Sequence, residues 1–588
     1  MTRSISNAVL IGLCAALCAA AVASTFGAPA SAQGFGAAGP ASAQGSSAPG
    51  PASAQSAGAA PDLVLTGGKV ITVDDRFQIA QALAIRGDRI VAVGTNQEIA
   101  RLAGSTTKTI DLRGRAVIPG LIDNHMHVMR YGTTWKWEVR WDGVGSRKEA
   151  LGLLAARVKS VGRGEWVYNL GGWAIEQFAD DPKPFTRDEL DKVAPENPVF
   201  LQASYYEAYL NSRALEALGI SESSPPDASV VRDAAGRLTG RVTEAGFRRL
   251  VGRLPTPSAE EIEASTVGML QDLNRSGLTA VGSAGCEANV LPLYRARADQ
   301  SRLDVRVFCI TGVGAGTPEQ VDQAIPRIAQ MKLFQGNDYL DSVFFGEGVY
   351  GPLHDPMFIP KSNPTAGQLV QWRRMAMEIA KAGLPLHVHA NLTDTISAFL
   401  DQIEAVNKEY PVKNLRWTLA HANQLNAAHL ERMRKLGLYA AVHPWAVING
   451  GINLRVFGDA AYDMAALDTI QKSGVAWGFG SDGSRANQIL PFTTLSWAVT
   501  GKMVGGTKVL RQTISREDAL IAHTRKNAYF IFQENNLGSI QPGKYADLLV
   551  LDRDYLTVPA DQIKDIKPLM TMVGGRIVYD VEIGAPVR

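Results

Sequence analysis

Cysteine is scarce in this 588-residue chain. Its four residues are too few for a disulfide-built scaffold. Long runs of one charge sign are also missing. Lys+Arg 59 against Asp+Glu 57 leaves a formal net charge of +2, with no basic stripe to follow a phosphate backbone, so nucleic acid is excluded as the expected partner. Beyond the N-terminus no apolar run reaches the ~20 residues of a membrane-spanning helix. What is present is ordinary globular composition, 46% hydrophobic and 20% charged, which rules out a wholly disordered, collagen-like or coiled-coil chain. The length is roughly four times a ~150-residue domain, so a single compact domain would have to be a barrel with additions.

The first 32 residues read as a signal peptide. Arg3 supplies the positive start, Ala8 to Ala23 the apolar stretch, and Ala30-Ser31-Ala32 an A-x-A cleavage site. Cys14 and Cys18, each preceded by Leu, match a lipoprotein signal poorly. Export to the periplasm or medium is therefore expected, with no stable membrane insertion after cleavage. Residues 33–61 repeat PASAQ without charge or large apolar groups and read as a flexible spacer that cannot offset its chain entropy. Only Cys286 and Cys309 would remain in the mature chain.

Residues 62–118 form short runs rich in Val, Ile and Leu, separated by turn residues such as Gly67-Gly68 and Gly87-Asp88, and residues 533–588 repeat the style. The two pieces are expected to build one small β-sandwich from both termini. Between them, residues 119–532 alternate strand-like and helix-like patterns. Eight strand candidates are legible: AVIPGLIDNHMH, GLTAVGSAG, DVRVFCITG, LDSVFFGEG, LPLHVHAN, LRWTLAHAN, YAAVHPWAV and VAWGFGSDG. Helical stretches such as AEEIEASTVGMLQDLNRSG intervene, with apolar residues at three- and four-residue spacing. The fold class expected is α/β, a (β/α)8 TIM barrel. The stretch from about 143 to 256, between strands 1 and 2, is too long for a βα connection and must hold an inserted cap.

Polar residues gather at the ends of these strands, where barrel enzymes build their sites. Strand 1 ends in Asp123-Asn124-His125-Met126-His127, strand 5 in His387-Val388-His389, strand 6 in His421, strand 7 in His443 and strand 8 in Ser481-Asp482-Gly483. Residues two apart point to one side of a strand, so His125 and His127 can both face the axis. Six of nine histidines at four strand ends are poor core material and repel one another if charged. A divalent cation resolves the conflict. Imidazole nitrogen and carboxylate oxygen suit Zn2+ first, with Mn2+ or Fe2+ as alternatives, one or two ions being open. Such an ion lowers the pKa of water towards ~7 and polarises a carbonyl, and Asp482 is placed to take and return a proton.

These residues resemble the amidohydrolase superfamily, and within it the branch of N-substituted formamide deformylase and the YtcJ-like proteins (amidohydrolase 3 type). The markers are VIPGLIDNHMH, GGWAIEQF with AYLNSRALEALGI, HVHANLTD, LAHANQ, GSDG and LGSIQPGKYADLLVLD, and the likeness covers Asp62 to Val578. It implies His125, His127, His389 and His421 as metal ligands, and Asp482 as ligand and proton shuttle. Three departures stand out. Val343 occupies the place of a carboxylated Lys that bridges two metals in many relatives, which puts the two-metal form in doubt; Glu347 matches the acidic position of that pattern and can reach a metal. Tyr206 stands where relatives often carry His. His443 and His387 are unusual for the branch.

The expected activity is metal-dependent hydrolysis of a C–N bond in a small amide, formamide, carbamate or cyclic amide. Asp482 and His443 are the catalytic candidates, and Trp173, Tyr206, His387 and Arg485 the substrate-binding candidates. An ester or lactone hydrolase, a decarboxylase, or a barrel kept only for binding are the rival readings. Trp166, Trp173, Tyr205, Tyr206, Tyr209 and Trp445 form either an aromatic wall over the metal or the insertion's own core. Cys286 reads as a buried inert thiol rather than a ligand, and nothing fixes the direction of His354. A homo-oligomer is compatible with the sequence.

Overall fold

The structure, a computed structural model, describes residues 59–581; the signal peptide and most of the spacer lie outside the described residues. Eight parallel strands form one sheet in sequential order: β1 Leu121–Met126, β2 Leu278–Ala284, β3 Arg306–Thr311, β4 Leu340–Glu347, β5 Leu386–Ala390, β6 Thr418–His421, β7 Tyr439–Val442 and β8 Ala476–Phe479. This is the (β/α)8 barrel expected from the alternation. The helices between the strands start and stop where local chemistry dictates. Ala259–Ser276 opens on a capping box of Ser258 and Glu261 and closes on Gly277 at φ 98°. Ala427–Leu436 likewise ends on Gly437 at φ 68°.

The strand candidate AVIPGLIDNHMH divides at Gly120. Ala116–Pro119 pairs with Leu548–Leu551 in a six-stranded sheet that mixes strands from both ends of the chain, while Leu121 onward enters the barrel. A Cβ on Gly120 would meet the Thr279 side chain at 2.1 Å, so the crossing between the two sheets needs glycine here. A second sheet of four strands packs on the first, and Leu65, Val70, Leu83, Val117, Leu548, Val550 and Met570 share one buried cluster. A buried ion pair fastens this unit to the barrel: Arg306 on β3 donates to Asp547 from Nε (2.8 Å) and Nη2 (3.0 Å).

Between β1 and β2 the chain builds a separate layer, a five-stranded sheet of Val167–Leu170, Val199–Ala203, Glu207–Leu210, Leu238–Thr243 and Val230–Arg232. Trp141, Trp173, Phe178, Phe185 and Tyr209 pack together in one of its buried clusters, and Tyr168, Phe200, Leu210 and Phe247 in another. The lower barrel interior is filled by Ile122, Phe308, Ile310, Val343, Phe344 and Phe530. That plug leaves the polar residues at the opposite mouth.

One correction concerns the thiols. Cys286, just past β2, is disulfide-bonded to Cys309 on β3. The two parallel strands are neighbours, which brings the sulfurs together despite the 23-residue separation in sequence.

Candidate metal centre

The barrel closes at its mouth between β1 and the segment that follows β8. The Asp482 N–H donates to the His125 carbonyl (2.8 Å) and the His127 N–H to the Gly483 carbonyl (3.0 Å). The buried Asp123 carboxylate accepts from the backbone N–H of His125 (2.9 Å) and of Ser481 (2.9 and 3.0 Å), tying the same two segments. Burial pushes Asp123 up to about 7, against the pull of those hydrogen bonds. Asp482 (φ 58°) and His421 (φ 69°) both adopt left-handed backbone. Such conformations in non-glycine residues cost ~1–3 kcal/mol each and collect where surrounding bonds over-determine a site.

Each of the four histidines implied as ligands has one ring nitrogen committed to the protein. His127 Nδ1 meets the Ala284 carbonyl at 2.7 Å, and a carbonyl can only accept, so Nδ1 carries the proton and Nε2 the lone pair. His389 Nε2 lies 2.6 Å from Asp355 Oδ1 and 2.8 Å from the Asp355 carbonyl, which leaves Nδ1 facing inward. His421 is settled by a longer chain of bonds. Asn527 Nδ2 donates to the carbonyls of Ile122 (2.5 Å) and Phe479 (2.6 Å), so its amide oxygen accepts from Asn124 Nδ2 (3.0 Å). Asn124 therefore presents its oxygen to His443 Nε2 (3.3 Å), which must donate. Burial, then the neighbouring imidazoles, hold His443 well below the usual histidine range and hence neutral. Its Nδ1 then accepts from His421 Nδ1–H (2.7 Å), and the His421 lone pair sits on Nε2. His125 Nδ1 lies 2.8 Å from His387 Nε2, while His125 Nε2 is buried without a partner.

The four inward nitrogens surround two carboxylates. Glu347, at the end of β4, divides its oxygens between them. Oε1 is 2.9 Å from His421 Nε2 and 3.3 Å from His389 Nδ1, and Oε2 is 3.7 Å from His125 Nε2 and 3.9 Å from His127 Nε2. Asp482 Oδ1 lies 3.4 Å from His127 Nε2 and 3.6 Å from His125 Nε2, and its Oδ2 accepts the Trp445 indole N–H at 2.9 Å. Lone pairs of imidazole and carboxylate converge with their far sides already anchored, the arrangement that protein metal ligands adopt. The orphaned His125 Nε2 and the groupings His125–His127–Glu347 and Glu347–His389–His421 fit one or two divalent cations.

Several sequence expectations need correction. His387 does not face substrate: it is fully buried beneath His125, with Phe344 and Phe530 against its other side. His443 is equally buried and has both nitrogens engaged, so it sits behind His421 rather than at the open mouth. Trp173 is 0% exposed inside the aromatic core of the insertion and cannot line a pocket. Trp445 does reach the site, through Asp482 and by packing on His421 at 4.8 Å. Tyr206 is 37% exposed, edge-on to Phe358 of the loop after β4. His354 stacks on His389 with ring centres 3.6 Å apart. Asp355, Asn124 and Asn527 were missed; only the adjacency of Asn124 to the histidine pair marked it.

The GGW marker also acquires a physical reason. Gly171 and Gly172 have φ of 115° and 77°, and a Cβ on them would meet the Arg485 backbone at 2.6 Å and the Ser484 carbonyl at 2.7 Å. The Gly172 N–H donates to the Arg485 carbonyl at 3.0 Å. The insertion thus clasps the segment that carries Asp482.

Residues 108–579 match the model of a family described as amidohydrolase. The N-substituted formamide deformylase of Arthrobacter pascens is 26% identical over 549 residues, covering 88% of this chain and 98% of its own. YtcJ of Bacillus subtilis (strain 168) is 24% identical, covering 87% and 98%. Among solved structures, an uncharacterized metal-dependent hydrolase from Pyrococcus furiosus superposes with a TM-score of 0.59 at 22% identity, over 84% of this chain and all of that one.

Proposed function

Because the chain belongs to the amidohydrolase family, we propose that its mouth site is a two-ion centre, zinc in both positions, that hydrolyses a non-peptide C–N bond in an amide or formamide. The observation that carries this reading is the division of Glu347, one oxygen towards His125 and His127 and the other towards His389 and His421. A glutamate so placed would hold an ion on either side, a role that Val343 cannot fill. Divalent cations bound there would lower the pKa of water towards ~7 and polarise the substrate carbonyl.

The protein's own contribution is positional and protonic. Asp482 Oδ2 is fixed by the Trp445 indole, so Oδ1 is the atom that takes the proton of the attacking water and delivers it to the leaving nitrogen. His387, His443, Asp355 and the Ala284 carbonyl hold the four inward nitrogens in place.

The deformylase relative supports an amide or formamide substrate. Export is supported by the Cys286–Cys309 disulfide, a bond that persists in oxidising compartments; an N-terminus at Gln33 on the secreted protein would establish it. Elemental analysis combined with a panel of matched amides and esters tests the whole reading. Two equivalents of zinc and turnover of the amides are expected. Metal-free but active protein, or turnover of esters alone, would refute it.

A further inference from the structure

Among the described residues, two arginines beside the centre have no ion-paired carboxylate. Arg130 lies one turn beyond His127, on the short helix Val128–Gly132, and Arg485 lies three residues beyond Asp482. Both guanidinium groups flank the Tyr131 ring, at 5.2 and 5.9 Å from its centre, and that ring stands 5.8 Å from His127. Both Nε atoms are buried without an acceptor. Arg130 bonds only the Tyr131 hydroxyl (3.3 Å), and Arg485 makes no side-chain hydrogen bond or ion pair among the described residues. Glu287, after β2, acts on Arg130 electrostatically without an ion pair, and its own Oε2 is buried without a donor. Neither guanidinium group therefore has an ion-paired carboxylate among the described residues.

Four other buried or half-buried arginines, Arg140, Arg147, Arg306 and Arg416, each hold a carboxylate at 2.5–2.9 Å. Half-buried guanidinium without a counter-ion is costly unless a ligand supplies the anion, and its planar fork suits a carboxylate. The Arg485 backbone is clasped by Gly171 and Gly172, so its position is set before any ligand arrives.

We propose that Arg130 and Arg485 form an anion-binding half of the substrate pocket, and that the natural substrate carries a carboxylate a few bonds from the scissile C–N bond. This rests on the hydrolytic reading above. Water is consumed, the acyl group leaves as a carboxylic acid, and the amine is released with the proton returned by Asp482. The substrate's own carboxylate stays intact at the arginines.

The test uses zinc-loaded enzyme and N-formyl and N-acetyl derivatives of straight-chain ω-amino acids of two to five carbons, each beside its neutral primary amide. The best acid should exceed its amide in kcat/KM by about 10- to 100-fold, the range expected for charge-assisted bonds. Arg485→Gln and Arg130→Gln should each shrink that ratio about tenfold or more, chiefly through KM, and Arg485→Lys should restore part of it. Amides turned over as well as the acids would overturn the proposal, as would a preference that survives in the double Gln variant. Should neither series be hydrolysed, calorimetry with the non-hydrolysable N-ethyl amines separates the two ideas. Tighter binding of the acid, lost in Arg485→Gln, would keep the anion site and sink the hydrolytic reading. Equal binding of acid and amide would sink both.

Discussion

Replacing His443 by Phe keeps a ring of similar size in a fully buried position and deletes both of its hydrogen bonds. His421 Nδ1–H loses its acceptor and the Asn124 oxygen loses its donor. Leaving a buried polar group unpaired costs roughly 1–3 kcal/mol each, so the fold should lose about 2–6 kcal/mol. The sharper effect falls on the metal. With no acceptor at Nδ1, nothing selects the His421 tautomer whose lone pair is on Nε2, and removing such a supporting partner typically weakens metal affinity by about 10- to 100-fold, roughly 1.4–2.7 kcal/mol. Zinc affinity measured by competition with a chromophoric chelator reads this directly, ion by ion. His443→Gln provides the control, because its amide can accept from His421 and donate to Asn124 at once. The Phe variant should lose one tight zinc while the Gln variant keeps most of the affinity. Equal affinity in the Phe variant and the wild type would refute the tautomer argument, and so would a Gln variant no better than Phe.

Asp482→Asn should retain metal in an elemental assay yet lose about 10²- to 10⁴-fold in kcat, since the proton relay is removed while the fold is kept. Glu347→Gln should lower the zinc stoichiometry from two to one, measured by inductively coupled plasma spectrometry; two ions retained would show that the carboxylate does not bridge. Cys286→Ser opens a link spanning 23 residues and should cost roughly 3 kcal/mol by loop entropy, seen as a lowered Tm that the wild type shows only under reductant. Asp547→Ala strands the buried Arg306 guanidinium and should destabilise by about 3–5 kcal/mol in urea unfolding.

The barrel was legible because every strand carries a β-branched or apolar run ending in polar residues, and because Ser258, Gly277 and Gly437 mark helix ends by simple chemistry. The histidine pair on β1 was legible as inward-facing by the two-residue period. Depth was not. His387 and His389 share a face, but one pleat, about 7 Å, separates them along the strand, which is the difference between lying under His125 and facing the mouth. Depth along β4 was illegible for a related reason. Pairing of β4 with β3 skips Val343, since Cys309 faces Ser342 and Ile310 faces Phe344, and such a bulge breaks any count of residues from strand start to mouth. The tryptophans were ambiguous because an aromatic side chain looks the same in sequence whether it lines a pocket or a core. Asn527 carries no signal at all: it acts through Asn124, 403 residues away in the chain.

On the proposed two-ion reading, a bridging carboxylate that is part of the encoded side chain has one further consequence. A carboxylated lysine is assembled from dissolved carbon dioxide and sheds it again in acid, so centres built on one depend on bicarbonate supply. Glu347 carries its carboxylate from the ribosome onward. Reloading the stripped protein should therefore proceed equally well in degassed and bicarbonate-saturated buffer, limited by zinc alone.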